Sequence, residues 1–374
     1  MGTLNDYVEE LDRRLGPLNA IAPKVSIIVT NYNYGNYICE CLGSVTQQKY
    51  PNIECIVVDD CSSDDSLAKI SRFIDNNDTH VSFRLVRHGA TLGQYAGFRT
   101  GLEDADGAFV TFLDADDLLL ANFVGEHVHA HLTLPPVAFT SSNQYQIDSF
   151  GQMIAGVHPD LLTQNSYRLI GTLSLQTPFW VWATTSSMMF RRAVLNYVLA
   201  DTGEAFRKCA DNYVAHFCNL LGGSILIPTV LGCYRRHQHN TFSNNPLIGG
   251  HLPTGDMRHH PAHRLVLQLI RARLFERSES FIALLGLAGF IHTLGKVTRC
   301  RDLWRYGMDL ALSEGRGIAA AKFYSSWALL HCRRALRRAK NRHPAFTVAD
   351  LDQGKRATKV ASYAEYQRHR RDAK

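Results

Sequence analysis

Ala108-Phe-Val-Thr-Phe-Leu-Asp114-Ala115-Asp116-Asp117 decides how the rest of the chain reads. Phe109 to Leu113 is a short, mostly apolar, β-favouring run, the signature of a strand buried on both faces of a parallel sheet. It leads straight into three carboxylates within four positions. Parallel sheets bind ligands in the crevice beyond the carboxyl ends of their strands, so the acids arrive where such folds do chemistry. Asp114 and Asp116 are two apart and can turn toward one point where the strand bends into a loop. Like charges that close need a cation or hydrogen-bond donors to offset them. A hard, oxygen-seeking Mg²⁺ or Mn²⁺, itself holding a diphosphate, meets that need. Asp117 has a second reading, as the cap of a helix starting near Leu118.

The flanking segments alternate strand and helix. Upstream, Lys24 to Thr30, Ile53 to Asp59 and Val81 to Arg87 read as strands. Between them, the pattern predicts a helix capped by Asn36 and running to about Gln48, and one capped by Cys61-Ser62-Ser63 and running to about Asn76. Gly89 to Gly93 is a turn into a helix ending near Asp106. Such alternation argues for βαβ units with right-handed crossovers. Downstream, a helix is expected over Leu119 to Leu132, a strand over Val137 to Ser141, and an apolar run over Trp180 to Phe190. A helix over Asp211 to Leu221 precedes strands at Ser224 to Ile227 and Val230 to Tyr234, then a polar loop from Arg235 to Asn245. The expected fold class is α/β, a Rossmann-like, mixed but mostly parallel sheet flanked by helices, with a helical C-terminal extension. Residues 1–22 read as a helix and linker, 23–245 as the main domain with halves 23–117 and 118–245, and 246–374 as a basic helical region, with three or four segments running to about Arg342.

The chain has 374 residues, ordinary globular hydrophobic content of 45% and a net charge of +6. Acidic residues concentrate in positions 1–160, whereas 258–374 is dense in Arg, Lys and His, so the C-terminal part is suited to an anionic surface. Nine scattered cysteines, with no CxxC pair, read as buried free thiols of a reducing compartment. The N-terminus has early acids and no apolar core of a signal peptide. Phe281 to Val297, the most apolar stretch, is short for a membrane span and contains His292 and Lys296. A cytoplasmic protein, peripheral at the inner membrane face if it meets lipid, is expected.

Several ordered motifs then resemble one family. Val25-Ser-Ile-Ile-Val-Thr-Asn-Tyr-Asn33, Cys55-Ile-Val-Val-Asp59-Asp60-Cys-Ser-Ser-Asp64, Leu113-Asp-Ala-Asp-Asp117, Met188-Met-Phe-Arg191-Arg192 and Tyr234-Arg-Arg-His237-Gln-His-Asn240 match, in type and order, the family 2 glycosyltransferases with the GT-A nucleotide-diphospho-sugar transferase fold. The resemblance covers about residues 24–245. It implies a nucleotide-diphospho-sugar donor, a Mn²⁺ or Mg²⁺ ion, and a glycan or lipid-linked acceptor in polysaccharide synthesis. Asp116 is then implied as metal ligand, Asp114 as ribose or metal-shell residue, and Asp117 as a donor-sugar contact or the helix cap already named. Thr30, Tyr32, Asp59 and Asp60 are implied to surround the base, with Asp60 the carboxylate that faces it. The alternative for Asp59 and Asp60 is a pair orienting the Ser62–Ser63 turn. Cys61 stands where glycine is usual.

Gly93-Gln94-Tyr-Ala96-Gly-Phe-Arg99 resembles the segment bordering the nucleotide. Arg99 stands in place of the commoner asparagine, either reaching phosphate or lying solvated on a helix. Activating an acceptor hydroxyl requires a carboxylate base. Resemblance assigns that to Asp211, although Ala210 replaces the first acid of the usual pair; the other reading of Asp211 is a helix cap. His237 is implied as a metal ligand, and Arg235 and Arg236 as phosphate partners. Trp180 and Trp182 are either acceptor-groove platforms or core. His127, His129 and His131, like His259, His260 and His263, read as helix surface. Trp327 to Arg342, apolar on one face and arginine-rich, suits either anionic lipid or solvent. A catalytically idle sugar-nucleotide-binding scaffold is the rival reading; a nucleic-acid binder explains none of the acidic motifs.

Overall fold

The computed structural model describes residues 22–155, 166–176, 180–200, 210–238 and 261–298. Its centre is one ten-stranded sheet in the order β3-β2-β1-β4-β9-β6-β10-β5, with β7 beside β6 and β8 beside β10. The strands are β1 (Val25–Asn31), β2 (Ile53–Asp59), β3 (Ser82–Arg87), β4 (Phe109–Asp114), β5 (Leu118–Leu119), β6 (Phe139–Ile147), β7 (Met153–Ala155), β8 (Arg168–Ile170), β9 (Met188–Arg191) and β10 (Ser224–Arg235). The helices are α1 (Ile38–Thr46), α2 (Ser66–Asp75), α3 (Gln94–Asp104), α4 (Phe123–Thr133), α5 (Arg192–Val198), α6 (Ala210–Gly222), α7 (Pro261–Glu276) and α8 (Ser278–Val297).

β3, β2, β1 and β4 are parallel throughout, and β6 and β10 are parallel to each other, whereas β9 joins the two groups antiparallel to both β4 and β6. β1, β2 and β4 are almost wholly buried, as apolar runs covered on both faces must be. β3 alternates exposed and half-buried residues and carries Arg84 and Arg87, the pattern of a charged sheet edge. Alternation along β1 divides the core: Val25, Ile27 and Val29 face α1 and α4, while Ile28 faces α3 and, through the same cluster, α6, α7 and α8. α3 lies close on β1 because Gly97 and Gly101 present no side chain. A Cβ at Gly101 would stand 2.2 Å from Ile28 Cγ2. α7 and α8 share this core through Val266, Ile270, Leu274, Phe281, Phe290 and Leu294.

Several expectations are corrected. No helix follows Asp117 directly: Leu118–Leu119 pairs with Cys233 and Gly232 of β10, and α4 starts only at Phe123, with Asn122 at its cap position. The strand expected at Val137 to Ser141 runs from Phe139 to Ile147. The two strands expected around Pro228 are one, β10, with register shifts between Ile227 and Gly232, where proline offers no N–H. Tyr37, not Asn36, precedes α1, and Asp65 precedes α2; neither gives a side-chain cap bond. Ser62 turns inward, and its Oγ accepts Asn31 Nδ2–H at 3.1 Å and the Asn33 N–H at 2.9 Å.

His127 and His131 are core residues, not helix surface. His127 Nδ1 lies 2.6 Å from Thr140 Oγ1 and His131 Nε2 lies 3.0 Å from Met189 O, with Phe123 and Phe109 against their rings. The six described cysteines, Cys39, Cys41, Cys55, Cys61, Cys218 and Cys233, are free thiols. α8 bends at Gly286 (φ 68°), so Ser278–Leu287 and Gly289–Val297 meet at 116°. Among the described residues no single helix is long and apolar enough to cross a membrane. Residues 1–21 of the expected N-terminal helix and linker, the expected helix at Trp327–Arg342, and residues His259, His260, His239 and Asn240, lie outside the described residues.

Candidate active site

The strand order reverses between β1 and β4, and their carboxyl ends are level: Thr30 is paired with Asp114, and Asn31 with Asp59 on β2. This is the switch-point crevice where open α/β sheets bind ligands. Asp114 closes β4. Its Oδ1 accepts Gln94 Nε2–H at 3.3 Å, and the Asp114 N–H donates to Ser186 Oγ at 3.1 Å. Burial first, then the charges of Asp116 and Asp211, push the Asp114 carboxyl up to about 7. Asp116 Oδ2 lies 2.9 Å from His237 Nε2. Asp117 is fully buried; Oδ1 accepts the Arg235 N–H at 2.8 Å, and Oδ2 has no partner. Burial and the two neighbouring acids hold Asp117 far above the usual carboxylate range. Asp117 therefore caps no helix.

Arg235 corrects the expectation of a phosphate partner. Its side chain is 1% exposed and its donors are taken up by the protein: Nε by Asp116 O at 2.8 Å, Nη1 by Asp148 O at 3.2 Å, Nη2 by Glu40 Oε2 at 2.6 Å. The guanidinium also sits 5.0 Å from the Tyr37 ring centre. Its place is beneath the acidic loop as a clamp, and the pairing of β5 with the end of β10 brings it there. Arg236 is buried as well, its N–H donating to Ile147 O. His237 is enclosed by Tyr34 and Tyr37, with ring centres at 5.7 and 4.8 Å.

Asp211 lies in the first turn of α6, and its charge is felt at Asp114, almost a hundred residues away in sequence. Burial raises the Asp211 carboxyl, and nearby polar groups, the N–H groups of its own helix turn and the Thr185 hydroxyl, oppose that rise. The cap-like contacts and the proximity to the acidic loop coexist in one side chain. Gln94 joins the two elements, since its Oε1 accepts the Ala210 N–H at 2.9 Å while its amide donates to Asp114.

Around the base position, Asp59 ties strand ends together, accepting Asn31 Nδ2–H at 2.8 Å and the Ser62 N–H at 3.0 Å. The expected turn-orienting role falls to Asp59. Asp60 accepts the N–H groups of Leu92 and Gly93, each at 2.8 Å, and its Oδ1 lies 2.7 Å from His88 Nδ1. Tyr32 is 47% exposed beside them in sequence. Arg99 pairs with Glu103 one helical turn away, at 2.9 Å, which is the solvated-helix alternative. Trp182 is fully buried, bonds Ser224 through Nε1 at 2.9 Å and is core, so its reading as an acceptor platform fails. Trp180 packs edge-on against Trp182 and donates to Ala183 O.

Sequence reading missed Thr185, Ser186, His88 and Glu40. The signal for the first two was present: four consecutive hydroxyl residues, Thr184 to Ser187, interrupt an apolar run.

Among the described residues no group of three or more His, Cys, Asp and Glu side chains is arranged to hold a metal ion by itself. Mg²⁺ and Mn²⁺ sites that work with diphosphates need no such cage, taking one or two carboxylates and completing the shell from phosphate and water. Mutually repelling acids, an orphaned buried Asp117 oxygen, and Asp116 facing His237 make a hard-oxygen donor set that fits such an ion.

Residues 26–198 match the family model described as Glycosyl transferase family 2. An uncharacterized glycosyltransferase of Nostoc sp. is 28% identical over 226 residues, covering 58% of this chain and 66% of that protein. WfgD of Escherichia coli, described as a UDP-Glc:alpha-D-GlcNAc-diphosphoundecaprenol beta-1,3-glucosyltransferase, is 37% identical over 98 residues, 26% of this chain and 37% of that one. The chain thus spans less than two thirds of either relative. A crystal structure of TarS residues 1–349 from S. aureus with UDP-GlcNAc aligns with a TM-score of 0.46 and 18% identity over 73% of this chain and 80% of that one. Over residues 26–198, just under half of its length, this chain is similar to glycosyl transferase family 2.

Proposed function

We propose that the chain transfers a sugar from a nucleotide-diphospho-sugar to a hydroxyl of a glycan or lipid-linked acceptor, inverting the anomeric centre, in cell-surface polysaccharide synthesis. The observation that carries this reading is the Gln94 side chain, which bridges the start of α6, where Asp211 lies, to Asp114 at the switch point of the sheet. Asp211 takes the proton of the acceptor hydroxyl as the oxygen bonds the anomeric carbon. The bond from that carbon to the diphosphate breaks, and its electron pair leaves on the β-phosphate oxygen. A single base acting opposite the leaving group gives inversion. Burial lifts the affinity of Asp211 for a proton, which suits a base.

A divalent ion held by Asp116 and Asp114, with His237 beside them, would supply Lewis-acid stabilisation of the departing diphosphate. Arg235 and Ser186 keep the loop in shape from below and behind. The name of the Escherichia coli relative supports a UDP-linked donor and a diphosphate-linked lipid acceptor. With such an acceptor the chain works at the cytoplasmic face of a membrane.

The test is calorimetric titration with UDP, GDP, CDP and dTDP, with and without Mn²⁺, followed by transfer assays on Asp211→Asn. One nucleotide should bind tightly only with the metal. Asp211→Asn should keep that binding and lose transfer by at least ~10²-fold. Retained turnover would move the base elsewhere, and failure of every nucleotide to bind would end the transferase reading.

A further inference from the structure

We propose that His88 is a positioning residue for the nucleobase of the donor, holding Asp60 so that one carboxylate oxygen faces the base; this rests on the reading of Asp60 as the base-facing acid. Asp60 follows directly on β2, and its N–H donates to Asn31 O at the end of β1, at 2.9 Å. Only β1 lies between β2 and β4 in the sheet. With neighbouring strands ~4.8 Å apart, Asp60 and Asp114 stand about 10 Å apart across the strand ends. A ribose and its first phosphate bridge such a span. A nucleotide with its diphosphate at the acidic loop therefore brings its base over Asp60.

A carboxylate offers about four lone-pair sites, and three of those on Asp60 are met. Oδ1 accepts the Leu92 N–H at 2.8 Å and lies 2.7 Å from His88 Nδ1, while Oδ2 accepts the Gly93 N–H at 2.8 Å. The site left on Oδ2 suits a ring N–H of a base. Without the imidazole, Oδ1 would be open as well, and the carboxylate would have a second way to meet the ligand. His88 is itself fixed. It is buried just past the end of β3, and its N–H donates to Asp59 O at 2.9 Å. Asp60 only accepts, so Nδ1 carries the hydrogen. Nε2 lies 2.9 Å from Thr100 Oγ1 on α3, a hydroxyl that gives or takes a hydrogen. The two N–H donors lie where the exposed turn Gly89–Leu92 enters α3, whereas His88 is tied to β2 and α3 at once. The imidazole thus sets the angle of the carboxylate.

The experiment compares wild type, His88→Leu, His88→Asn, Asp60→Ala and the His88→Leu/Asp60→Ala double variant by titration with UDP, GDP, CDP and dTDP in the presence of Mg²⁺. Inorganic pyrophosphate, which has no base, is titrated as a competitor of the tightest nucleotide. His88→Leu should weaken that nucleotide by ~10-fold or more and leave pyrophosphate unchanged. His88→Asn, whose amide N–H takes the place of Nδ1–H, should restore most of the loss. In the Asp60→Ala background the leucine should cost nothing further, because the imidazole acts through the carboxylate. Unchanged nucleotide affinity in His88→Leu, an equal loss of pyrophosphate affinity, an equal loss in His88→Asn, or a full additional loss in the double variant each overturns the proposal. Unchanged affinity in Asp60→Ala would instead remove the base-facing assignment, and a wild type that binds no nucleotide would end the transferase reading itself.

Discussion

The backbone N–H of Arg235 meets Oδ1 of Asp117 at 2.8 Å, joining residues 118 positions apart. The same residue's guanidinium holds the Asp116 carbonyl and the Glu40 carboxylate. Arg235→Met keeps the backbone bond and removes the rest, leaving buried acceptors unmet. Loss of about 2–4 kcal/mol in urea unfolding is expected, with weaker Mn²⁺-dependent nucleotide binding. A variant equal to wild type in both would show that the clamp does not shape the loop.

Asp116 faces His237 at 2.9 Å, at the point where the loop is best placed to share a cation. Asp116→Ala should abolish the metal-dependent part of nucleotide affinity, measured by titration with and without Mn²⁺. Undiminished binding would exclude Asp116 as a ligand.

Cys61 has φ 62°, a left-handed conformation that a side chain disfavours and glycine adopts freely. Cys61→Gly should raise the unfolding free energy by about 0.5–1 kcal/mol, once relief of that conformation is set against the freer unfolded chain. Equilibrium denaturation measures it, and a destabilised glycine variant would mean that the thiol contributes packing worth more than the strain.

His131 is held neutral, its pKa lowered to about 4 by burial and by the Arg191 charge, against the pull of Met189 O. His127 is likewise held well below the ordinary range, by burial and by His131. Folded imidazoles that resist protonation leave the unfolded chain binding more protons below about pH 6.5. Stability therefore falls as pH drops from about 6.5 toward 4, by up to ~1.4 kcal/mol per pH unit for each histidine. In His131→Gln, the difference between denaturation midpoints at pH 7 and pH 5 should shrink; an unchanged difference would place the titration elsewhere.

Much of this was legible because buried parallel strands announce themselves. β1, β2 and β4 are continuous apolar runs ending in polar residues, and their bounds differ from expectation by a residue or so. The acids at their ends were visible for the same reason. The side chains that organise those acids were not. Arg235 reads in sequence as a loop cation, and only the two-residue β5 pairing, too short to leave a pattern, turns it inward. Trp182 and the histidines of α4 have amphipathic chemistry compatible with surface or core, and tertiary packing alone chose core. Ser186 matters through Asp114, close in space and far in sequence, which no local spacing encodes.

β10, formed last among the described strands, lies inside the sheet between β6 and β5. On a ribosome, the first four strands can assemble while the remainder is still being made, but β6 keeps an unpaired edge until residues 224–235 emerge. The acidic loop likewise lacks its arginine until then. Stalling or truncation before Ser224 would thus yield a nascent chain with its first four strands nearly finished, an open strand edge prone to pairing with other chains, and an acidic loop without its arginine.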